Sequence, residues 1–550
     1  MPARGGSPPD SPRRAARAAA RTCSNSTSGY PPPSRSAGDP VADGWRRWGA
    51  LGAVCLAALL IGIANTVVNV ALPKLGSQLA ASTSALQWVI DAYILVLAGL
   101  LLVGGYLGDR YGRKRMLLLG LALFALASLA AGYADSAGAL IAARAVLGGA
   151  AALIYPATLA SIAATFTDRA EKATAVGIWS AVSGLSVALG PLAGGLLLAH
   201  FHWGAVFLVN IPVVAATFAA VLVAVPESRG PVTGRLDRIG AAAAIIGTGL
   251  LVWAIIEAPQ RGWLDPVIVA AFAAAALVLV GFFRWERRTR HPLLDVRLFR
   301  DRRFSIASWS ITTAYFGLVG FSFMITFFFQ TVRGYSPLRA GLATIPYAVV
   351  VAATAPLAMS LTRRFGTKIV VAVGLSLMSC GFLLASTIGV RSAYLGPILP
   401  SMCVMAAGLA CVTGPATDAL LNTVPPSRAG VVSAVNDTTR ELGAALGVAV
   451  LGSAMSWTYR DRLARLWSEL NIPGALVERG RGSAVTALTA APDATAADAA
   501  RLAFVDGLRT GAFAAAAVTA IGALLAIALL PQRDRTTADH PAGELAALAG

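Results

Sequence analysis

The sequence predicts an all-α polytopic membrane protein with about fourteen spanning helices, and three observations carry that prediction. Of the 550 residues, 56% are hydrophobic and 13% charged, about half the charge of an ordinary soluble domain. The apolar residues gather into runs of ~20, the length at which a helix crosses the hydrocarbon core of a bilayer. The cations crowd the short stretches between runs. The net charge of +18 would suggest a nucleic-acid partner in a soluble chain, but here the excess arginine sets topology, so no nucleic-acid site is expected.

Taken in order, spans are expected near 48–72, 86–107, 115–134, 137–162, 174–199 and 204–225, then 239–257, 265–284, 304–329, 338–361, 368–389, 393–416, 428–455 and 508–530. Residues 1–45 are rich in Arg, Ala, Pro and Ser without an apolar run, which predicts a disordered cytoplasmic tail. Residues 46–226 then form a six-helix bundle, 227–303 two inserted helices with a basic linker, 304–530 a second six-helix bundle, and 531–550 a second tail. An even span count places both termini on one side. Arg284, Arg287, Arg288, Arg290, Arg297, Arg300, Arg302 and Arg303 in one connection, and Arg363, Arg364 and Lys368 in another, make that side the cytoplasm. The loop 456–507 is then extracellular. Its Leu463, Leu466, Trp467 and Leu470 fall at helical spacing, which predicts an amphipathic helix lying on the outer surface with Arg460, Arg462 and Arg465 towards the head groups.

The turn between helices 2 and 3 runs from Gly105 to Arg115 and carries Arg110, Arg113, Lys114 and Arg115 against Asp109 alone. Gly105 permits close helix contact, Gly112 turns the chain, and Asp109 is an anion able to face a helix N-terminus. Gly105, Leu107, Asp109, Arg110, Gly112, Arg113 and Lys114 in this register resemble the loop that marks the major facilitator superfamily of transporters. The turn reads as a latch. Arg144, with Gly148, Gly149 and Pro156 behind it, resembles the helix 4 motif of that superfamily, with Leu147 where a Gln is usual. A buried arginine needs a partner or a water cavity. A structural pair with Asp109 or a backbone carbonyl and a role in proton coupling are both open.

Gly177, Ser186, Gly190, Pro191, Gly194 and Gly195 resemble the helix 5 signature of drug:proton antiporters, with Ser186 replacing a Gly. Small residues on one face and a proline that frees a carbonyl make a tight, bendable seam. The stretch Thr66–Pro73, the set Trp203, Phe207, Asn210 and Pro212, and His291 to Asp295 extend the resemblance to the fourteen-helix members of that family over residues 50 to 455. It implies a major facilitator fold of two bundles related by a pseudo-two-fold, with helices 7 and 8 inserted. One departure matters: where the family commonly has an acid, this chain has Ala64. The chain also repeats itself. Arg428–Gly447 loosely mirrors the helix 5 segment, placing Ser180 opposite Asp437 and Gly184 opposite Glu441, and Arg363 takes the place of Asp109.

Asp91, Asp437 and Glu441 are the candidate proton-coupling acids, with Arg440 and Arg144. Asp437 and Glu441 share a helix face, and Arg440 beside them can pair with only one. The other is left free to take and release a proton. A permanently ionised cluster that only locks helix 13, and an Asp91 that only bonds a neighbouring helix, are the plainer readings. Asn65, Asn69, Tyr155, Trp179 and Phe323 are the candidate substrate contacts through apolar and cation–π interactions, or ordinary packing.

The function implied is proton-coupled efflux of lipophilic, cationic drugs or antibiotics by alternating access in the cell inner membrane. Export of an endogenous antibiotic, a proton symporter, and a membrane enzyme or sensor are the alternatives. Of the four His, none lies inside a span, and no GxSxG, HExxH or GxxxxGK[ST] pattern occurs, which argues against an enzyme and against ATP as the energy source. Cys55, Cys380, Cys403 and Cys411 fall in apolar runs and Cys23 in the tail, with no CxxC pair. No metal or other cofactor is expected. The expected partners are small-molecule substrate, protons and the lipid bilayer, with the chain a monomer.

Overall fold

A computed structural model describes residues 40–166, 168–230, 237–289, 292, 294, 296–423 and 429–531. Helices stand at all fourteen expected positions, as α1 Pro40–Gln78, α2 Thr83–Tyr111, α3 Arg113–Gly132, α4 Ala137–Thr165, α5 Arg169–His200, α6 Ala205–Ala224, α7 Arg238–Arg261, α8 Pro266–Arg288, α9 Arg302–Phe327, α10 Pro337–Phe365, α11 Thr367–Ala385, α12 Leu399–Leu421, α13 Ala429–Glu469 and, after two short helices, α16 Ala494–Leu529; among the described residues 13 are long and apolar enough to cross a membrane, and α5 contributes the shorter apolar stretch Leu189–His200. Their starts are written in short polar residues. Ser82, Ser136, Asp237, Asp265, Asp301, Ser336 and Asp493 each accept a backbone N–H of the first turn, which satisfies a donor that lipid cannot.

In the first bundle α4 packs on α2, α3 and α5, and α3 on α6. Small residues bring backbones together. A Cβ on Gly148 would lie 2.3 Å from the carbonyl oxygen of Tyr93, so α4 touches α2 there as only glycine allows. In the second bundle α9 packs on α13, α12 and α16, and α11 on α12 and α16. The bundles meet along α2 with α13 and α5 with α10, and the inserted α7 packs on α8 and on both α2 and α13. Ser453 donates to the Ile255 carbonyl at 2.8 Å across that last contact.

The contacts between bundles cluster at the end away from the Gly105–Arg115 turn. Gln330 Nε2 donates to the Val70 carbonyl at 2.8 Å, and Gln87 Nε2 to those of Val448 and Ala449 at 3.0 and 3.3 Å. The Cα of Gly195 is seated against Leu338, and that of Gly341 against the Pro191 carbonyl.

The loop 456–507 overturns the expected surface helix. No breaker stands between Met455 and Glu469, so α13 runs on for 41 residues, ~60 Å at the α-helical rise. That is twice the hydrocarbon thickness. It stops where Asn471 turns left-handed at φ 54° and Pro473 follows. Leu463 and Trp467, expected at the lipid boundary, are fully buried instead. Their stripe packs on α14, Gly474–Gly482, where Gly480 fits against both, and the Trp467 indole donates to the Ala496 carbonyl at 3.0 Å. Together with α15, Ala484–Ala490, and the first turns of α16 they form a small helical cap. The arginines turn to carboxylates: Arg462 pairs with Asp506 at 3.0 Å and Arg465 with Asp461. Thr83 Oγ1 of α2 donates to the Gly482 carbonyl at 3.3 Å, which ties the cap to the first bundle.

Candidate transport site

Arg144 is fully buried on α4. Its Nε donates to the Val89 carbonyl at 2.8 Å and Nη1 to that of Ala64 at 3.2 Å, while Cζ lies 4.3 Å from the centre of the Tyr93 ring. The open question about its partner is resolved for carbonyls and an aromatic face rather than Asp109. Ala64, where the resembled family has an acid, supplies its carbonyl to the arginine. Nη2 makes no hydrogen bond.

Asp91 is fully buried, and neither carboxylate oxygen has a hydrogen-bond partner. The α2 helix begins at Thr83 rather than 86, so Asp91 lies eight residues, ~12 Å, from its start, deeper than the sequence suggested. It sits one turn from Gln87 on the same helix face, and Gln87 bonds α13. Asp91 therefore lies on the seam between the bundles, while Tyr93, two residues on, points to the opposite side under Arg144.

On α13, Arg440 Nη1 is 3.5 Å from Asp437 Oδ1, and its Cζ is 4.6 Å from the centre of the Tyr315 ring. Oε2 of Glu441 has no hydrogen-bond partner, so the single arginine is directed at one acid, as its spacing predicted. Tyr155 from α4 and Tyr315 from α9 are within electrostatic reach of Asp437, Arg440 and Glu441, and Tyr347 from α10 is within reach of Tyr315. Trp179 lies 5.5 Å from the Tyr155 ring and its indole donates to Thr158 at 3.2 Å. The result is an ionic cluster with the Tyr315 ring on its arginine and Tyr155 in its field, Trp179 lying behind Tyr155, a setting that offers both carboxylates and π faces.

The other sequence candidates divide. Asn65 is half-buried, and Asn69 is buried with its Oδ1 unbonded. Phe323 is fully buried, 5.2 Å from Phe327 and against Gly452. It packs the closed end rather than lining the cluster. The helix 5 glycines face two ways. Gly190 and Gly194 seat on Thr66 and Val67 of α1, Gly195 and Pro191 on α10, and Gly177 meets nothing within 4 Å and is no part of the seam. Ser180 and Gly184 of the internal repeat lie within α5, while His291 and Asp295 of the loop motif and Cys23 lie outside the described residues. Cys380, although it falls in an apolar run, is exposed.

At the latch, Gly112 adopts φ 114°, a backbone that favours glycine. Asp109 Oδ1 accepts from Arg113 Nε at 3.0 Å and Nη2 at 2.9 Å, and Arg113 Nη1 donates to the Ala160 carbonyl. Arg110 lies over Tyr111, and Gly105 is in contact with Pro156. The segment after α6 straps the turn. The Ser228 carbonyl accepts from Arg113 N at 2.9 Å, Glu227 accepts from Lys114 N at 3.2 Å, and Gly230 N donates to the Asp109 carbonyl at 3.3 Å. Arg428, just before the N-terminus of α13, lies outside the described residues. Sequence reasoning missed this strap and the partners Tyr93, Tyr315, Tyr347, Gln87 and Gln330. An acid directly after helix 6, beside a basic turn, was the available signal for Glu227.

Residues 54–448 match the family model described as Major Facilitator Superfamily. The chain belongs to the major facilitator superfamily. It is a multi-pass membrane transporter rather than an enzyme. It is 36% identical to the multidrug efflux pump LfrA of Mycolicibacterium smegmatis over 88% of this chain and 96% of that protein. It is 37% identical to the methyl viologen resistance protein SmvA of Salmonella typhimurium over 76% and 84%, and 33% identical to the tetracenomycin C resistance and export protein of Streptomyces glaucescens over 78% and 79%. A crystal structure of a bacterial homolog of the human lysosomal transporter Spinster superposes with TM-score 0.61 at 18% identity, covering 88% of this chain and 96% of that one; the likeness is one of fold.

Proposed function

We propose that this transporter is a proton-coupled exporter of lipophilic, cationic drugs or antibiotics, working by alternating access. The observation that carries the reading is the α13 cluster, where one arginine faces two carboxylates and only the pair with Asp437 is made. Glu441, and Asp91 on the seam, are then carboxyls whose charge has no fixed partner and changes with what the site holds. Similarity to LfrA and SmvA, whose names record multidrug efflux and methyl viologen resistance, supports this substrate class.

The loop arginines support a cytoplasmic latch end with both termini inside, so the sealed end faces outward and the site opens inward. In this reading 46–226 and 304–530 move as two bodies about the seam, with 227–303 inserted between them and the chain acting as a monomer. A membrane potential supplies about 2.3 kcal/mol per charge per 100 mV, so one or two protons per cycle suffice for concentrative export. The strong preference for Arg over Lys, which is confined to Lys74, Lys114, Lys172 and Lys368, points to GC-rich coding DNA, and similarity to a Streptomyces antibiotic export protein favours as a second cargo an antibiotic made by the producing cell itself. The test is proton flux in liposomes during export of a panel of cations and neutral antibiotics. Drug binding with no drug-dependent proton movement for any of them overturns the coupling.

A further inference from the structure

Arg440 stands between two acids of its own helix. Asp437 lies one turn before it on the same face, and Glu441 is the next residue. A guanidinium has five donors in a fork, enough to serve either carboxylate or to bridge both. Here it is committed to one side: Nη1 is 3.5 Å from Asp437 Oδ1 and Cζ is 4.6 Å from the centre of the Tyr315 ring, while Oε2 of Glu441 makes no hydrogen bond. At 3.5 Å the contact with Asp437 is at the long limit of a hydrogen bond, so that acid alone is a weak reason for the choice.

The ring is the stronger reason, and backbone contact fixes its place. Tyr315 is a half-buried residue of α9, between Thr312 and Phe316. A Cβ on Gly443 would lie 2.3 Å from the Thr312 carbonyl oxygen and one on Gly447 2.2 Å from that of Phe316, so α9 and α13 touch backbone to backbone on either side of the ring. Thr312 Oγ1 also donates to the carbonyl of Thr439, the residue before the arginine, at 3.2 Å. Both helices belong to the second bundle, so ring and guanidinium keep their register when the bundles move. The other groups around Glu441 offer it no second cation among the described residues. Tyr93 from α2, Tyr155 from α4 and Asp437 on its own helix share its field. Asp91 lies on the Gln87 face of α2, and Asp418 stands three residues from the end of α12. The charged residues of α7 are at its ends, those of α14 in the cap and those of α16 in its first half.

We propose that Tyr315 is a positioning residue for proton coupling: its ring holds the Arg440 guanidinium on the Asp437 side and so keeps Glu441 without a fixed counter-ion. Without the ring the guanidinium bridges both acids, and Glu441, with a permanent cation beside it, gives up its proton more readily. The hydroxyl is not needed, because the π face carries the attraction. This rests on the proton-coupled reading above.

The test measures binding of ethidium and a panel of further lipophilic cations to the purified full-length chain from pH 5 to 9, in the parent, Tyr315→Phe, Tyr315→Leu and Tyr315→Met. Phenylalanine keeps the ring; leucine and methionine remove it at two different side-chain lengths, and equal melting checks the fold of each. Loss of a desolvated cation–π contact corresponds to about one unit of pH. The half-maximal pH of binding should therefore fall by about one unit in the leucine and methionine variants, a roughly tenfold change in proton affinity, while Tyr315→Phe superimposes on the parent. In a Glu441→Gln background, where Asp437 still offers the cation a carboxylate, removing the ring should move the midpoint no further. Ring-less variants that superimpose on the parent, a phenylalanine variant that shifts as they do, or a shift that persists without Glu441 overturns this inference while leaving proton coupling intact. A parent that binds none of the cations, or binds them without any dependence on pH, overturns the proton-coupled reading itself.

Discussion

The contact between α5 and α10 is where a single methyl group should change the balance between conformations. A Cβ on Gly341 would lie 2.5 Å from the Pro191 carbonyl oxygen, and one on Gly195 would lie 2.7 Å from the Leu338 Cα and 2.9 Å from the Pro337 oxygen. These neighbours are backbone atoms, which cannot rotate away as a side-chain tip does. In Gly341→Ala or Gly195→Ala the two helices must therefore separate by most of an ångström to restore contact distance. Overpacking of this kind costs about 1–3 kcal/mol, and at 1.4 kcal/mol per decade that is a roughly 5- to 150-fold shift. Because α5 and α10 belong to different bundles, the penalty falls only on the conformation closed at this end. A third variant, Gly190→Ala, has a Cβ 1.8 Å from Thr66 Oγ1 inside one bundle, so it should weaken the fold in both conformations. Gly177→Ala meets nothing within 4 Å and is the neutral control.

Spin-label distances across the sealed end, measured by pulsed resonance in lipid discs, read the population directly, and dye export reads its consequence. Gly341→Ala and Gly195→Ala should move the distribution towards separation and slow export, with melting close to the parent. Distances and turnover in both variants matching those of Gly177→Ala would refute the reasoning.

The acids should separate by location. Asp91→Asn, isosteric and neutral on the seam, should lower uphill export of every substrate by about tenfold or more while leaving downhill exchange, consistent with the loss of ~1.4 kcal/mol or more of coupling; pumping with the parent's pH dependence would move the proton site to α13. Asp437→Asn and Glu441→Gln should differ, because only Asp437 is paired with Arg440: loss of Asp437 should lower thermal stability or cation affinity, and loss of Glu441 should uncouple protons, as read by melting and by drug-driven proton flux. Asp109→Asn removes a half-exposed pair with Arg113 worth at most ~1 kcal/mol, so expression should hold while turnover slows several-fold; unchanged transport would remove the latch from the mechanism.

The spans were legible because lipid leaves the backbone no alternative to helix, and a run of ~20 apolar residues has one reading. The loop 456–507 was misread for an equally physical reason. The spacing of Leu463, Leu466, Trp467 and Leu470 defines a helix with one apolar face but not what that face meets, and an interfacial helix and a capped extension of α13 share the pattern. The missing breaker before Asn471 was the better signal. In the site, the acids and arginines were legible because charge inside a membrane has few uses. Tyr93, Tyr315 and Tyr347 were not, since an aromatic in an apolar run looks the same whether its hydroxyl serves packing or a carboxylate. Glu227 had a local signal, an acid directly after helix 6, but nothing in local sequence says that Pro226–Gly230 comes back over Gly112.

Ala64 shows how one absent side chain distributes the charge in this transporter. An acid at that position would stand on the helix whose carbonyl Arg144 grips, and would offer the guanidinium a counter-ion. With alanine there, Arg144 is held by two carbonyl dipoles and the face of Tyr93, groups that do not titrate with it. The first bundle then has a fixed positive charge at Arg144 and a carboxyl, Asp91, placed on the other side of α2. The variable charge is left to the seam and to the α13 cluster, where Asp437 is matched by Arg440 and Glu441 is not. In the exporter proposed here, a cationic cargo entering between Tyr155, Tyr315 and Tyr347 would compete for that unmatched carboxylate with a proton, and mutual exclusion of the two at one group is the minimum that exchange of drug for proton requires.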